Sequence, residues 1–252
     1  MCKHIGSFVG IRRLTARLFQ EWTGTPGATF HYLPNCVETA GFGVGSRRQD
    51  LIAKYGLAGR LVVMTSGRIE SDRYEPRKGF DEVLETLPLL APDLPNITYL
   101  VVGDGEGRPR LEAKARALGV ADRVVFTGYV DHDDKADHFR LADVVAMPGS
   151  SPSFDRYPFR FGFLEPLACG VPVVGSRLVD ESERDDPDAQ RLLIQVDPNN
   201  TSDIKRGILE GLDRRRPEIN PALAKFSYEA FAHKARVIVD TVTAPTAPRR
   251  RR

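Results

Sequence analysis

The feature that most constrains the fold is a regular alternation of short apolar runs and amphipathic segments over residues 61–196. The runs have the length of buried strands, and the segments between them place apolar residues at helical spacing. Strands are predicted at 61–65, 97–102, 124–126, 144–147, 171–174 and 192–196, with helices at 79–90, 108–118, 135–141 and around Glu165. Six such repeats predict an α/β fold with a doubly wound, Rossmann-like parallel sheet.

The loop after the first predicted strand contains two cations that flank the start of a helix. Gly67 and Arg68 open this loop, and Arg77, Lys78 and Gly79 close it. Doubly wound sheets bind ligands at the carboxyl ends of their strands, where this loop lies. A guanidinium, an ammonium and the amides of a helix N-terminus all attract phosphate oxygens, so the loop suits a diphosphate. The alternative is a pair of solvated surface cations.

Three further segments are candidates for ligand contacts. Residues 103–107 read Gly-Asp-Gly-Glu-Gly, which either lets the backbone approach a ligand or forms an ordinary turn. The backbone beyond the turn at 126–130 is a candidate partner for a nucleobase. Glu165 is predicted near a helix start, where backbone donors orient its carboxylate and it accepts two hydrogen bonds from a ribose diol. The alternative for Glu165 is an acid that merely favours the helix N-terminus.

Charge and cysteine content exclude several classes of protein. The chain has 36 basic and 34 acidic residues, so no global field points to nucleic acid. Cys2, Cys36 and Cys169 lack the spacing of metal ligands and are expected to be reduced structural thiols in a cytoplasmic protein. The sequence has no run of about 20 apolar residues and no signal-peptide pattern, so neither a membrane span nor export is expected. His132 and His138 are expected at the surface.

The residues before the repeats predict a helical and linker extension. Apolar residues from Phe8 to Trp22 recur at helical spacing opposite three arginines, which predicts one basic amphipathic helix. This helix either packs on another domain, which we favour, or lies on an anionic membrane surface. Residues 29–45 predict an extended linker. We therefore divide the chain into an extension at 1–45, a globular domain at 46–243 and a disordered basic tail at 244–252.

Taken in order, the loop motifs resemble those of the donor-binding half of GT-B retaining glycosyltransferases of group 1, family 4. The resemblance covers about residues 32–239 and implies the C-terminal half of a GT-B fold, with the extension as the edge of an acceptor domain. The motifs that carry it are Gly67-Arg68, Lys78-Gly79, Gly-Asp-Gly at 103–105, Phe-Thr-Gly at 126–128, Ala142-Asp143 and Phe-Leu-Glu-Pro-Leu-Ala-Cys-Gly-Val-Pro-Val-Val at 163–174.

The resemblance also implies a set of donor-binding positions. They are Gly67, Arg68, Lys78, Gly103, Val130, Lys135, Gly162 and Glu165. Arg68 and Lys78 would hold the diphosphate of a UDP- or GDP-linked sugar, and Glu165 would hold the ribose. The family needs no bound metal or other cofactor, because the cations and the helix dipole stabilise the leaving diphosphate. The implied reaction moves a sugar to a glycan or lipid-linked acceptor with retention of anomeric configuration.

The resemblance also assigns the contacts to the base and the sugar, at three of these positions and one neighbouring loop. The backbone near Val130, helped by Lys135, would contact the nucleobase, and Gly162 would let its loop approach the sugar phosphate. The family has a first glutamate where this chain has Tyr157, followed by Pro158. Asp155 would substitute for that glutamate only if the loop bends, which Pro158 opposes.

The acceptor side of the reaction is where this sequence departs most from the family. About thirty residues precede the predicted linker, too few for a parallel-sheet domain. Transfer is therefore expected to need an acceptor-binding polypeptide in trans. The alternative is a non-catalytic nucleotide-binding or scaffold protein derived from this fold. The expected location is cytoplasmic, with peripheral contact at the inner membrane surface through residues 8–22 as the open alternative.

Overall fold

The fold is built on a six-stranded parallel sheet in the order β5-β4-β3-β6-β7-β8. The computed structural model describes residues 5–11, 13–71, 78–149, 161–177, 184–214 and 219–244. The strands are β1 Ser7–Gly10, β2 Thr29–Tyr32, β3 Leu61–Ser66, β4 Ile97–Val102, β5 Val124–Gly128, β6 Val144–Met147, β7 Val173–Ser176 and β8 Leu193–Val196. The predicted α/β fold class is confirmed.

The described helices connect these strands and cover both faces of the sheet. They are α1 Arg13–Thr23, α2 Gln49–Tyr55, α3 Phe80–Leu90, α4 Arg108–Ala117, α5 Lys135–Leu141, α6 Phe161–Ala168, α7 Pro187–Leu192, α8 Thr201–Asp213 and α9 Tyr228–Thr243. Short 3-10 helices lie at Ala121–Arg123, His132–Asp134 and Pro221–Phe226. No helix among the described residues is long and apolar enough to cross a membrane.

The strands form where the sequence supplies continuous apolar runs, because both faces of the sheet are covered. All six residues of β4 are buried. One core cluster lies beneath α2, α5 and α6, and the other lies beneath α3, α4 and α8. The predicted strands differ from the observed ones only at their ends. β7 begins at Val173 because Pro172 has no N–H to donate to a neighbouring strand.

The N-terminal extension differs from its prediction. Phe8 belongs to strand β1, which pairs in parallel with β2 through helix α1, so residues 8–22 are not one helix. The Phe8 ring packs on Phe19 of α1 at 4.6 Å and on Phe30 of β2 at 5.4 Å. The prediction was wrong because Phe8, a strand residue that packs on α1, happens to lie at helical spacing from the apolar residues of α1. Part of the predicted linker, Thr29–Tyr32, is likewise a strand.

Candidate functional site

A cavity of about 320 Å³ opens at the carboxyl ends of β3, β4 and β5. This volume lies within the range of small-molecule sites, about 300–1,000 Å³. Six of the eight predicted donor-binding residues line it, and Gly162 and Glu165 do not. The lining residues are Ser66, Gly67, Arg68, Lys78, Val102, Gly103, Asp104, Tyr129, Val130 and Lys135.

The floor of the cavity is backbone, and it requires glycine at two positions. Gly67 and Gly103 have φ values of 147° and 134°, which side-chain-bearing residues rarely adopt. A Cβ added to Gly103 would lie 2.0 Å from the carbonyl oxygen of Gly67. Gly67 N–H donates to Val102 O at 2.9 Å and Gly103 N–H donates to Gly128 O at 3.1 Å. The loops after β3 and β4 therefore pack against each other with no room for a side chain between them.

Positive charge collects on one wall of the cavity. The Lys78 side chain crosses Gly67 so closely that a Cβ there would lie 2.5 Å from Nζ. Lys78 is followed by Gly79, the N-cap of α3, and no described side chain caps that helix. The largely exposed Arg68 lies on the same wall, with Nε 3.8 Å from Glu70 Oε1. Two cations and a helix N-terminus thus meet at one place, as predicted, whereas Arg77 lies outside the described residues.

Asp81, in the first turn of α3, is turned toward α4. Arg110 donates to both Asp81 carboxylate oxygens at 2.5 and 2.7 Å, and Lys114 Nζ donates to Oδ1 at 2.7 Å. Burial raises the pKa of Asp81, but hydrogen bonds from Arg110 and Lys114 outweigh it and leave the pKa below its ordinary value. Asp81 is consequently a structural anchor between α3 and α4.

Glu165 lies in the same region, within α6, and pairs with the first residue of α5. It is only 7% exposed, and Lys135 Nζ lies 3.6 Å from its Oε2. Burial raises the pKa of Glu165, and the charges of Lys135 and His132 offset only part of that effect. The sequence placed Glu165 near a helix start among backbone donors. In the structure it lies one turn into α6, and the side chain of Lys135 faces it.

Of the other predicted positions, Val130 lies at the cavity and Gly162 lies at a helix–strand contact. Val130 lines the cavity and packs on the core. A Cβ at Gly162 would lie 3.3 Å from Met147 Cε, so the small size of Gly162 lets α6 pack on β6. Tyr129 also lines the cavity and is 77% exposed, which the sequence reasoning missed. An aromatic residue directly after a strand-ending glycine was the available signal.

His138 was predicted at the surface, and this was wrong. It is buried, with Nδ1 2.8 Å from Asp134 O and Nε2 3.1 Å from the hydroxyl of Tyr55. These contacts tie α5 to α2, and each ring nitrogen has a polar partner, as a buried side chain needs. His132 is exposed, as predicted.

Other expectations concern thiols, metals and the loop before α6. Cys36 and Cys169 are free thiols, and burial raises the pKa of Cys169 to about 12. Among the described residues, no group of three or more His, Cys, Asp or Glu side chains is placed to hold a metal ion. Asp155, Tyr157 and Pro158, like Cys2, lie outside the described residues.

Comparison with known proteins agrees with this architecture. Residues 60–214 match the model of the family described as glycosyl transferases group 1. Among curated proteins, a GDP-mannose-dependent alpha-(1-6)-phosphatidylinositol monomannoside mannosyltransferase of Mycolicibacterium smegmatis is 35% identical over 170 residues, 66% of this chain and 43% of that protein. A D-inositol 3-phosphate glycosyltransferase of Jonesia denitrificans is 35% identical over 122 residues, 46% of this chain and 26% of that protein.

Solved structures share the fold at lower identity. Sucrose-phosphate synthase from Thermosynechococcus elongatus superposes with a TM-score of 0.72 at 21% identity, covering 94% of this chain and 58% of that one. Anabaena HepE in complex with UDP and glucose superposes with a TM-score of 0.71 at 20% identity, covering 95% and 64%. The chain thus spans about two fifths of the mannosyltransferase and about three fifths of these structures.

Proposed function

Because this chain belongs to the glycosyl transferases of group 1, we propose that its six-stranded domain binds the nucleoside diphosphate of a nucleotide-sugar donor. The observation that supports this most is the convergence of Lys78, Arg68 and the N-terminus of α3 on one wall of the cavity. The Lys135–Glu165 pair lies nearby. The cavity therefore offers a site for phosphate oxygens, and a carboxylate suited to a diol lies beside it, paired with the cavity-lining Lys135.

Each part of the donor has a group that matches its chemistry. Lys78 and Arg68 bind the diphosphate and stabilise the charge that develops on it as the bond to the sugar breaks. Ionised Glu165 accepts hydrogen bonds from the two ribose hydroxyls, and Lys135 holds that carboxylate in place. Tyr129 and the backbone at Val130 border the space left for the base. In this proposal the cations and the helix supply the positive charge, without a metal ion.

The proposed reaction is transfer of the sugar to a glycan or lipid-linked acceptor with retention of anomeric configuration. The mannosyltransferase relative is named for GDP-mannose and a phosphatidylinositol monomannoside, and HepE was crystallised with UDP. GDP-mannose and UDP-glucose are therefore the first donors to test. We propose that the acceptor is bound by an acceptor-binding domain joined to this one or acting in trans.

Calorimetric titration with UDP, GDP, UDP-glucose and GDP-mannose tests the donor site. Micromolar binding to one base is expected. Arg68→Ala or Lys78→Ala should weaken it about 10- to 100-fold, since each removes charge-assisted hydrogen bonds to phosphate. Arg116→Ala is the matched control, because it removes an exposed arginine from α4 outside the cavity lining, and it should leave Kd unchanged. Failure of all four ligands to bind would contradict the proposal.

Turnover separates a transferase from a binding module. Release of UDP or GDP from the bound donor is measured with a lipid-linked acceptor, with and without an added acceptor-binding domain. Sugar transfer that depends on that domain is the expected result. Nucleotide binding without transfer in any pairing would support the non-catalytic alternative.

We propose in addition that α1 contacts a membrane surface. Leu18 and Trp22 lie four residues apart on α1 and are exposed, Trp22 by 85%, while Ala16 and Phe19 face the strands. Exposed apolar side chains on a basic helix suit the interface of an anionic bilayer. Cosedimentation with anionic vesicles at low salt should fall on Trp22→Ser but not on Val237→Ser, a control at another exposed apolar residue. Absence of binding at low salt would remove this part of the proposal.

A further inference from the structure

The segment 37–48, which we call the linker segment, lies along α5. Val37 N–H donates to Phe226 O at 2.8 Å at its start. Arg140 Nε of α5 donates to Gly43 O at 2.9 Å in its middle. Arg47 Nη2 donates to the buried carboxylate of Asp143 at 2.6 Å near its end. The linker segment is therefore fixed to the domain at several points along its length.

Phe42 is the aromatic side chain that the linker segment buries against α5. It is 8% exposed, and its ring centroid lies 5.7 Å from that of His132 and 6.3 Å from that of Phe139. His132 begins the 3-10 helix that leads directly into α5, and Phe139 lies on α5 itself. Phe42 thus supports the start of α5 and the packed face of the helix together.

The start of α5 is the part of the helix that faces Glu165. Lys135, the first residue of α5, reaches Glu165 Oε2 with Nζ at 3.6 Å. The C-terminal half of α5 is held by other contacts, since His138 meets Tyr55 of α2 and Arg140 donates to Gly43 O. The N-terminal end is supported by Phe42 through His132 and by the buried Ala136, whose carbonyl oxygen accepts from Cys169 Sγ. The aromatic contact with Phe42 is therefore one of the contacts that set the position of Lys135 relative to Glu165.

We propose that Phe42 is a positioning residue for the donor ribose, acting through the start of α5 on the Lys135–Glu165 pair. This inference rests on the proposed function, in which Glu165 accepts the ribose hydroxyls. Removing the Phe42 ring would leave a cavity beside His132, into which the start of α5 can shift. Lys135 would then no longer hold the Glu165 carboxylate in the orientation that two ribose hydroxyls require.

The test compares the affinities of the ribonucleotide and its 2′-deoxy analogue, using GDP and dGDP or UDP and dUDP. In the wild-type chain the ribonucleotide should bind about tenfold more tightly, because its 2′-hydroxyl donates to a charged acceptor. Phe42→Ala should reduce this preference to about twofold or less while the deoxynucleotide retains most of its affinity. A general loss of stability would weaken both ligands together and leave the preference intact.

Three further variants make the outcome decisive. Val44→Ala, an exposed position in the linker segment, should keep the full ribose preference. Phe42→Leu, which restores apolar volume, should recover most of it. If Phe42→Ala does not fold, Arg140→Ala removes the hydrogen bond that holds Gly43, the residue next to Phe42, against α5, and should also lower the preference.

The result that overturns the inference is an unchanged ribose preference in folded Phe42→Ala or, if that variant does not fold, in Arg140→Ala. A wild-type chain that binds both nucleotides equally would overturn the role of Glu165 and this inference together, while diphosphate binding by Arg68 and Lys78 would stand. A wild-type chain that binds no nucleotide would instead contradict the proposed function itself.

Discussion

At the scale of single residues, Glu165 shows how the site differs from a merely stable core. A buried carboxylate is costly unless it is paired, and here one lysine at 3.6 Å supplies the nearby charge. Burial raises the pKa of Glu165, and Lys135 and His132 lower it again only in part. A buried carboxyl group whose charged form is disfavoured in this way is a candidate for function rather than stability.

The raised pKa of Glu165 predicts the pH dependence of nucleotide binding. Only the ionised carboxylate accepts both ribose hydrogen bonds, so affinity should fall as the pH drops through the raised pKa. Calorimetry from pH 8 down to pH 5 checks this. Because the nucleotide phosphate also titrates, Glu165→Gln serves as the control. The two proteins should differ at pH 8 and converge at low pH, and parallel curves would contradict the assignment.

The raised pKa of Glu165 also predicts how folding stability depends on pH. Its effect runs opposite to that on nucleotide binding. A folded-state pKa above the unfolded value means that the folded chain binds more protons, so this group's contribution to stability falls as the pH rises through that window. Glu165→Gln removes the ionisation and should raise Tm at pH 7.5 relative to wild type, with the gain disappearing below the unfolded glutamate pKa. Thermal melts of the two proteins at pH 7.5 and at a pH below the unfolded glutamate pKa of about 4.3 test this. A lower Tm of Glu165→Gln at pH 7.5 would show that the pair stabilises the fold.

At the scale of elements, the loops after β3 and β4 form the cavity floor by direct backbone contact. Their glycines are needed by the fold before any ligand is considered, because Gly103 has no space for a side chain beside Gly67 O. Glycines in such loops therefore indicate close packing as much as ligand binding. The sequence left open whether residues 103–107 approach a ligand or form an ordinary turn, and the structure shows a packing role for Gly103.

Gly103→Ala should be severely destabilising. The added Cβ meets the Gly67 carbonyl oxygen at 2.0 Å, in a backbone conformation that alanine rarely adopts. A loss of about 3 kcal/mol or more in the free energy of unfolding is expected. Gly119→Ala is the matched control, since Gly119 has a positive φ of 70° but nothing within 4 Å of its Cβ position. It should cost only about 1–2 kcal/mol, and equal losses in urea unfolding would contradict the steric account.

The sequence predicted the elements of the central sheet well and the N-terminal unit poorly, for physical reasons. Strands buried on both faces give continuous apolar runs such as residues 97–102, which local pattern identifies. Phe8 misled because its helical spacing to α1 was accidental, and a two-stranded unit carries little pattern of its own. His138 misled because its burial depends on Tyr55, 83 residues away. Contacts between distant segments of this kind leave no local signal.

The parts of the candidate site that could be predicted are those whose positions follow from the order of the strands in the sheet. The order of the sheet places the loops after β3 and β4 side by side, so Gly67, Arg68 and Gly103 meet at one edge. Lys78 also fell where expected, just before α3. The contact of Lys135 with Glu165 was not predicted from spacing, because it depends on how α5 packs against α6. The resemblance to a family predicted both residues as donor-binding positions but did not predict a contact between them.

At the scale of the whole molecule, two cavities of similar size lie at different places on the sheet among the described residues. The candidate donor site lies at the carboxyl ends of β3 to β5. The other, of about 340 Å³, lies near the amino end of β7 and is lined by Arg191, Arg214 and Asn220, among others. Both contain cationic side chains, so volume and charge alone do not choose between them. The helix N-terminus of α3 and the Lys135–Glu165 pair favour the first.

Backbone amide NMR of the chain titrated with GDP or UDP tests the central claim, that the nucleotide binds at the carboxyl edge of β3 to β5. The largest shift changes are predicted in the loops after these strands and at the start of α5. Their reporters are Gly67, Lys78, Gly103, Val130 and Lys135. Changes confined to the other cavity, at Gly170, Leu192, Ile194 and Asn220, would contradict the account.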